Sequence, residues 1–291
     1  MYRTLGPALR EEFGEPVRKV SVDAHLGCPH KQTGGCVFCD EKSFSPSKEY
    51  RSVSITEQIQ EGIRWLHLRN GVKKFIAYFQ PGTNTFGSPE QLERLYREAI
   101  AQPNVVGIAI GTRPDCLPEN VLDLLEKLAR ETWLILEIGI QSIHDRSLRF
   151  LNRGHDFAAI DDAINRVKRR QIRFGVHLIF GIPGETESDR IATAEKIAEY
   201  RPYSVKLHNL HVTKNTKLAE LWERGDFSLP TLEEYAGYVV DFLQRIPPET
   251  IVERVSGEVT KEFLLAPFWT SQKHAARNAI HALLQAKNRV F

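Results

Sequence analysis

No apolar run in the sequence approaches the roughly 20 residues that a membrane-spanning helix requires, and the Val105–Gly111 stretch falls far short. The opening Met1-Tyr2-Arg3-Thr4-Leu5-Gly6-Pro7 lacks the continuous apolar centre and cleavage site of a signal peptide. Together these absences predict a cytoplasmic protein with no membrane partner. Glycine and proline are modest, 19 and 15 of 291 residues, which excludes collagen-like and low-complexity disordered chains. No repeat at a 20–50-residue period is found. Net charge is also nearly missing: 39 Lys and Arg stand against 37 Asp and Glu, a formal +2, too little to imply a polyanionic partner by itself. Four cysteines in a chain of this size do not make a disulfide scaffold. What is present is 42% apolar residues, enough for one large α/β domain or two ordinary ones.

The recurring pattern is an apolar strand followed by an amphipathic helix. Strands are expected at Lys19–Asp23, Lys74–Gln80, Val105–Thr112, Trp133–Ile140, Arg173–Phe180 and Ser204–Leu210. A helix from about Ser54 to Asn70 carries a capping-box pair, Ser54 and Glu57, with Ile55, Ile59, Ile63 and Leu66 along one face. Further helices follow Pro89 and Pro118, then cover Ala158–Arg170 and Ser188–Tyr200. Six such units with short connections imply parallel strands and right-handed crossovers, as an open doubly wound sheet or part of a barrel. Either way ligands collect at the carboxyl ends of the strands. After residue 215 the pattern changes to two helices, a short strand near Thr250–Val255 and a terminal helix from about Ser271. Residues 260–291 hold Lys261, Lys273, Arg277, Lys287 and Arg289 against Glu262, a local charge of +4.

Three of the four cysteines, Cys28, Cys36 and Cys39, lie in the loop after the first strand, spaced C-x7-C-x2-C around Gly34 and Gly35. Soft sulfur ligands suit zinc or an iron–sulfur cluster. The spacing leaves both open, including a structural zinc site completed by His25 or His30.

The surrounding motifs resemble the radical S-adenosylmethionine superfamily. The first spacing is longer than the usual C-x3-C-x2-C, but Cys36-Val37-Phe38-Cys39 matches its close pair, with an aromatic before the last cysteine. Gln80-Pro81-Gly82-Thr83 stands where the glycine motif belongs. Gly139-Ile140-Gln141-Ser142 and Leu151-Asn152-Arg153-Gly154-His155 resemble motifs of the branch containing coproporphyrinogen dehydrogenase and the Elongator catalytic subunit. His177-Leu178-Ile179-Phe180-Gly181-Ile182-Pro183-Gly184-Glu185 resembles its fifth-strand motif. Cys-Pro-His, Gly111–Asp115 and Lys206–His211 are shared with a small Elongator-like branch, the YhcC-like family. The resemblance spans roughly residues 15–265. It implies a partial (β/α)6 TIM-type barrel at 17–214, preceded by a lead-in at 1–16 and followed by a small α-rich extension at 215–291.

It also implies the chemistry: a 4Fe-4S cluster, with S-adenosylmethionine reductively cleaved to a 5′-deoxyadenosyl radical by an electron from a flavodoxin- or ferredoxin-type donor. Cys28, Cys36 and Cys39 then hold iron. Phe38 flanks adenine, Gln80, Gly82 and Thr83 lie at the amino end of the cofactor, and Arg153 takes its carboxylate. Gln141 faces the ribose, Ser142 beside it is also cofactor-binding, and Gly181 belongs to the adenine-side motif of the fifth strand. His177 stands where relatives carry an acidic residue. Several plainer roles compete: Arg153 pairing with Asp156 on the surface, Gln141 and Ser142 capping a turn, Gly181–Gly184 as an ordinary strand-to-helix turn. Cys116 reads as a small core filler or a substrate-side thiol. Trp269, Lys273 and His274 read as packing and surface.

Arg113, Asp115, His208 and His211 are the substrate-side candidates, being at strand ends away from the cysteine loop. His208 and His211 are three apart, so only one is expected to face the lumen. The resemblance points to RNA as substrate, specifically a wobble uridine of tRNA. The alternatives are the same chemistry on a small metabolite or protein side chain, and a non-catalytic zinc-stabilised module.

Overall fold

The computed structural model describes residues 2–40 and 53–288; Arg289 of the basic segment lies outside them. The central strands form as their composition dictates. In Lys74–Phe79 (β3) five of six side chains are buried, and Val105–Thr112 (β4), Trp133–Gln141 (β5), Phe174–Phe180 (β6) and Ser204–Asn209 (β7) are similarly continuous. Such runs fit strands covered on both faces. The outer face meets helices through Leu92, Tyr96, Leu125, Leu128, Ile160, Ile164 and Ile197, all fully buried. The expected capping box is present: Ser54 accepts from the Glu57 backbone at the start of Ile55–Asn70, and Gly71 closes that helix in the left-handed conformation.

The sheet holds eight parallel strands in the order β1-β9-β7-β6-β5-β4-β3-β2. Six are the strands expected from sequence, with Val17–Val22 as β2. Two more come from the flanks, one of them the short strand expected near Thr250–Val255. Ile251–Arg254 (β9) pairs with β7, and Arg3–Thr4 (β1) pairs with β9. Two residues are too few to show a period, so β1 is invisible to patterning. A short antiparallel pair, Val212–Thr213 (β8) and Leu264–Ala266 (β10), sits beside the sheet.

Six strand spacings separate β2 from β9, roughly 29 Å in a flat sheet. Yet Lys19 of β2 bonds Glu253 of β9 at 2.6 Å. The sheet therefore curls into an incomplete barrel whose inward side chains meet across the lumen. Below, helix Leu5–Phe13 (α1) places Leu9 against Val17, Ile76, Tyr78, Ala109 and Ile135. That helix floors the barrel and leaves the carboxyl-end mouth.

Candidate active site at the barrel mouth

The cysteine loop is shaped by Gly34 and Gly35, both left-handed at φ 104° and 68°. It is clamped by the segment after β5. Val37 N–H donates to Leu151 O (3.1 Å), Asn152 Nδ2 to Gly35 O (2.6 Å), and His30 Nε2 to Asn152 O (2.5 Å). Thr33 Oγ1 occupies the other His30 nitrogen at 2.8 Å, so the ring is engaged in the clamp. A Cβ at Gly154 would fall 2.6 Å from the His30 ring; glycine is what lets the two segments touch. Cys28 and Cys36 are half-buried and Cys39 is exposed.

Arg153 is 5% exposed. Its Nη1 donates to Cys36 Sγ (3.1 Å) and its Nη2 to Gly139 O (2.6 Å). Its Nε is buried with no partner among the described residues. Asp156 instead caps the next helix, accepting from Ala159 N–H at 3.0 Å.

Arg113 and Asp115 require a correction. They do not lie away from the cysteine loop: Arg113 Nη1 is 3.9 Å from Cys36 Sγ, and its Nη2 donates to the Arg153 carbonyl. The cause is the strand order, which sets Thr112 beside Ile138 and delivers the Pro114–Cys116 turn to the cysteines. Asp115 receives the Arg113 fork through two 3.0 Å bonds. Burial opposes the charged guanidinium, but Asp115 and the Cys36 and Cys28 sulfurs outweigh it and raise its pKa. Burial and Asp115 push the Cys116 thiol up to about 12, so it stays neutral at physiological pH.

The Gln80–Thr83 motif abuts the same loop. Gly82 has φ 82°, and an added Cβ would lie 2.6 Å from Gly27 O; Thr83 N–H donates to that same carbonyl at 2.8 Å. Gln80 Nε2 donates to Ser21 Oγ at 2.9 Å. A Gly82→Ala chain is expected to lose about 2 to 4 kcal/mol of stability, from a side chain at positive φ plus a backbone clash. Urea denaturation checks this, and a loss under about 1 kcal/mol would contradict it. Asn84, not among the sequence candidates, ties this motif to β4: its Nδ2 donates to Pro81 O and Gly111 O (3.1 and 3.2 Å). Its Oδ1 is buried and unpartnered among the described residues.

Gln141 sits at φ 69°, where the ladder slips between Gly139 and Gln141. Ser142 turns to structure, donating to Glu185 Oε1 (2.7 Å) and accepting from His144 N–H (3.2 Å). Burial raises the Glu185 pKa. Gly181 admits Pro230, whose ring would meet a Cβ at 2.8 Å. Phe38 packs half-buried beside Val37, Leu151 and Ile182.

Inside the lumen lies a charged layer that the sequence reading missed. Glu137 of β5 bonds both Lys19 and Lys206 and accepts from His177 Nε2 at 2.8 Å. Glu253 bonds Lys19 at 2.6 Å and accepts from Ser204 Oγ at 2.8 Å, and Lys206 donates to Tyr78 OH at 3.2 Å. Glu137 is 1% exposed. Burial would raise its pKa, but the two ammonium groups and His177 hold it well below the usual carboxylate range. The available signal was a lone acid in the apolar run of β5 and a lone lysine in β7. His208 shares the lumenal face with Lys206, its ring centroid 5.8 Å from that of His177. His211 lies past the strand end, bonded to Asn209 O at 3.1 Å.

Among the described residues, no three His, Cys, Asp or Glu side chains already converge as a metal site. The donor set nevertheless fits an iron–sulfur cluster: three thiols share one loop, two guanidinium groups face Cys36, and His30 is held by hydrogen bonds at both ring nitrogens. The unpartnered Nε of Arg153 supplies a donor for a bound carboxylate.

Comparison with known proteins agrees with this construction. Residues 25–197 match the radical SAM superfamily and residues 202–286 its C-terminal domain. Protein YhcC of Escherichia coli is 36% identical over 275 residues, covering 92% of this chain and 87% of that one. A tRNA uridine(34) acetyltransferase of Methanocaldococcus infernus is 30% identical over 154 residues, 52% of this chain and 28% of the relative. The structure of N-terminally truncated Elp3 from the same archaeon superposes with a TM-score of 0.71 at 20% identity, covering 93% of this chain and 63% of that one. A buried half-barrel with a clamped three-cysteine loop at its mouth thus has its kin: the chain belongs to the radical SAM superfamily, in the family of YhcC.

Proposed function

We propose that this enzyme modifies RNA, at a wobble-position uridine of tRNA, using a 4Fe-4S cluster and S-adenosylmethionine. The observation carrying the cofactor half is the pair of guanidinium groups against Cys36, one of them with a buried nitrogen that has no partner among the described residues. Together the cluster and S-adenosylmethionine, when bound, supply hydrogen-abstracting radical chemistry. Cys28, Cys36 and Cys39 would hold the cluster. Arg153 would orient the carboxylate of S-adenosylmethionine, with Gly82 and Thr83 at its amino end, Phe38 beside adenine and Gln141 at the ribose. The floor helix and the apolar strands keep water out from below. A flavodoxin- or ferredoxin-type protein would deliver the electron.

The RNA half is supported by the likeness to the tRNA uridine(34) acetyltransferase over half the chain and by the basic segment after residue 260. The test is 5′-deoxyadenosine formation by the reconstituted enzyme with dithionite, in parallel with bulk tRNA, a metabolite extract and a peptide pool. Stimulation by tRNA alone is expected; stimulation by another pool transfers the same chemistry to that class. Affinity for tRNA is also expected to fall roughly tenfold or more between about 50 and 200 mM salt through counterion release. A salt-independent affinity in a filter-binding assay would defeat the RNA reading.

A further inference from the structure

Among the described residues, the four charges of the lumenal layer balance in pairs. Lys19 and Lys206 are matched by Glu137 and Glu253. Arg254 has no carboxylate within ion-pairing distance among the described residues. Its position follows from a slip in the ladder: Val205 pairs with Val252, but Lys206 pairs with Arg254, so β9 carries one extra residue there. A bulge re-aims side chains. Here it gives one residue, Glu253, to the charged layer and sets the next, the last residue of β9, opposite Lys206.

The register brings Arg254 to the histidines: it lies opposite Lys206, two residues before His208 on the lumenal face of β7. The segment following β9 folds onto the end of β7, with Gly257 N–H donating to Asn209 Oδ1 at 3.0 Å and a Gly257 Cβ position 3.1 Å from the His211 ring. The Arg254 charge is accordingly felt at His208 and His211, where burial and that cation lower both imidazole pKa values. His208 is therefore neutral, with one N–H to donate, and it has no hydrogen-bond partner among the described residues. A guanidinium beside a neutral imidazole near the carboxyl ends of parallel strands, neither paired among the described residues, is a donor set open to an anionic acceptor.

We propose that Arg254 and His208 form an oxyanion subsite at the barrel mouth, receiving a carboxylate or phosphate group of the substrate. The proposal rests on this mouth being the substrate entrance. It separates from the RNA reading because its test needs neither tRNA nor radical chemistry.

The full chain, labelled at histidine nitrogens, is titrated with sodium acetate and separately with inorganic phosphate at constant ionic strength. Imidazole resonances are followed by NMR and assigned with His208→Gln. A saturable shift of His208 is expected with one of the two anions while His67, on the outer helix, stays still. Acetate points to a carboxylate-bearing substrate and phosphate to a phosphate group. Arg254→Gln is expected to weaken the interaction at least about tenfold, while Arg254→Lys, keeping charge without the fork, loses less. No His208 shift with either anion, an equal shift at His67, or unchanged affinity in Arg254→Gln overturns the proposal. Should the glutamine variant not fold, the contrast of His208 with His67 in the unaltered chain decides it.

Discussion

Replacing Glu137 with glutamine is expected to cost about 3 to 5 kcal/mol of folding stability, the largest loss for any single polar substitution in the lumen. Glu137 is the common partner of Lys19 and Lys206 and accepts from His177 besides. Glutamine keeps the shape and one acceptor but leaves two buried ammonium groups sharing only Glu253. Coulomb attraction in a poorly solvated lumen is strong, and so is the penalty for an uncompensated charge there. For a chain of this size the melting temperature should fall on the order of 10 °C. Adding Lys206→Met to Glu137→Gln restores charge balance, with Lys19 and Glu253 left as a pair, and should recover much of the loss. Calorimetry on the four chains of this cycle is the measurement. A loss below about 1 kcal/mol in the single variant, or no recovery in the double, would mean the lysines shed their protons instead of depending on Glu137.

The second large effect concerns chemistry. Cys36→Ala is expected to leave a protein that reconstitutes to a small fraction of the iron of the parent chain and forms 5′-deoxyadenosine only at background. The loss should be disproportionate to its effect on folding. In the cluster-free chain Cys36 is a weak acceptor for Arg153, at 3.1 Å from Nη1, so losing it costs about 1 kcal/mol at most. Cys116→Ala is the matched control. Its neutral thiol, held up near 12, is a poor ligand, and that variant should retain full iron content. Iron and acid-labile sulfide analysis with the product assay decides it. A colourless, zinc-loaded parent chain that forms no product would make the three cysteines structural.

The cysteine triplet and the strand-end motifs were legible in sequence because each is local: a few residues whose types and order carry the message. The Ser54–Glu57 box and the six central strands were legible for the same reason. Arg113 was misplaced because its neighbours depend on which strands adjoin. Nothing in Gly111–Asp115 announces that the turn after β4 meets Cys36 and the Arg153 carbonyl. The lumenal layer failed to register for a similar reason. Lys19, Glu137, Lys206 and Glu253 come from four strands spread over 235 residues of chain and meet only when the sheet curls. Ser142 is a third case: its hydroxyl turns to Glu185 and to His144 N–H in the following turn, the plainer, turn-capping role that its motif also allows.

Strand Arg3–Thr4 pairs with Ile251–Val252, and this has a consequence for synthesis. During translation the first strand leaves the ribosome with no sheet edge to join, since its partner emerges more than 240 residues later. Helix Leu5–Phe13 can dock on the first two central strands early, because those residues follow soon in the chain. The barrel wall is then laid down strand by strand from β2, and Lys19 waits for both of its carboxylates, Glu137 first and Glu253 last. Pairing across such sequence distance is slow to form. The nascent chain thus carries an open edge and a buried-to-be ammonium until Ile251–Arg254 is made, and β9 closes both at once.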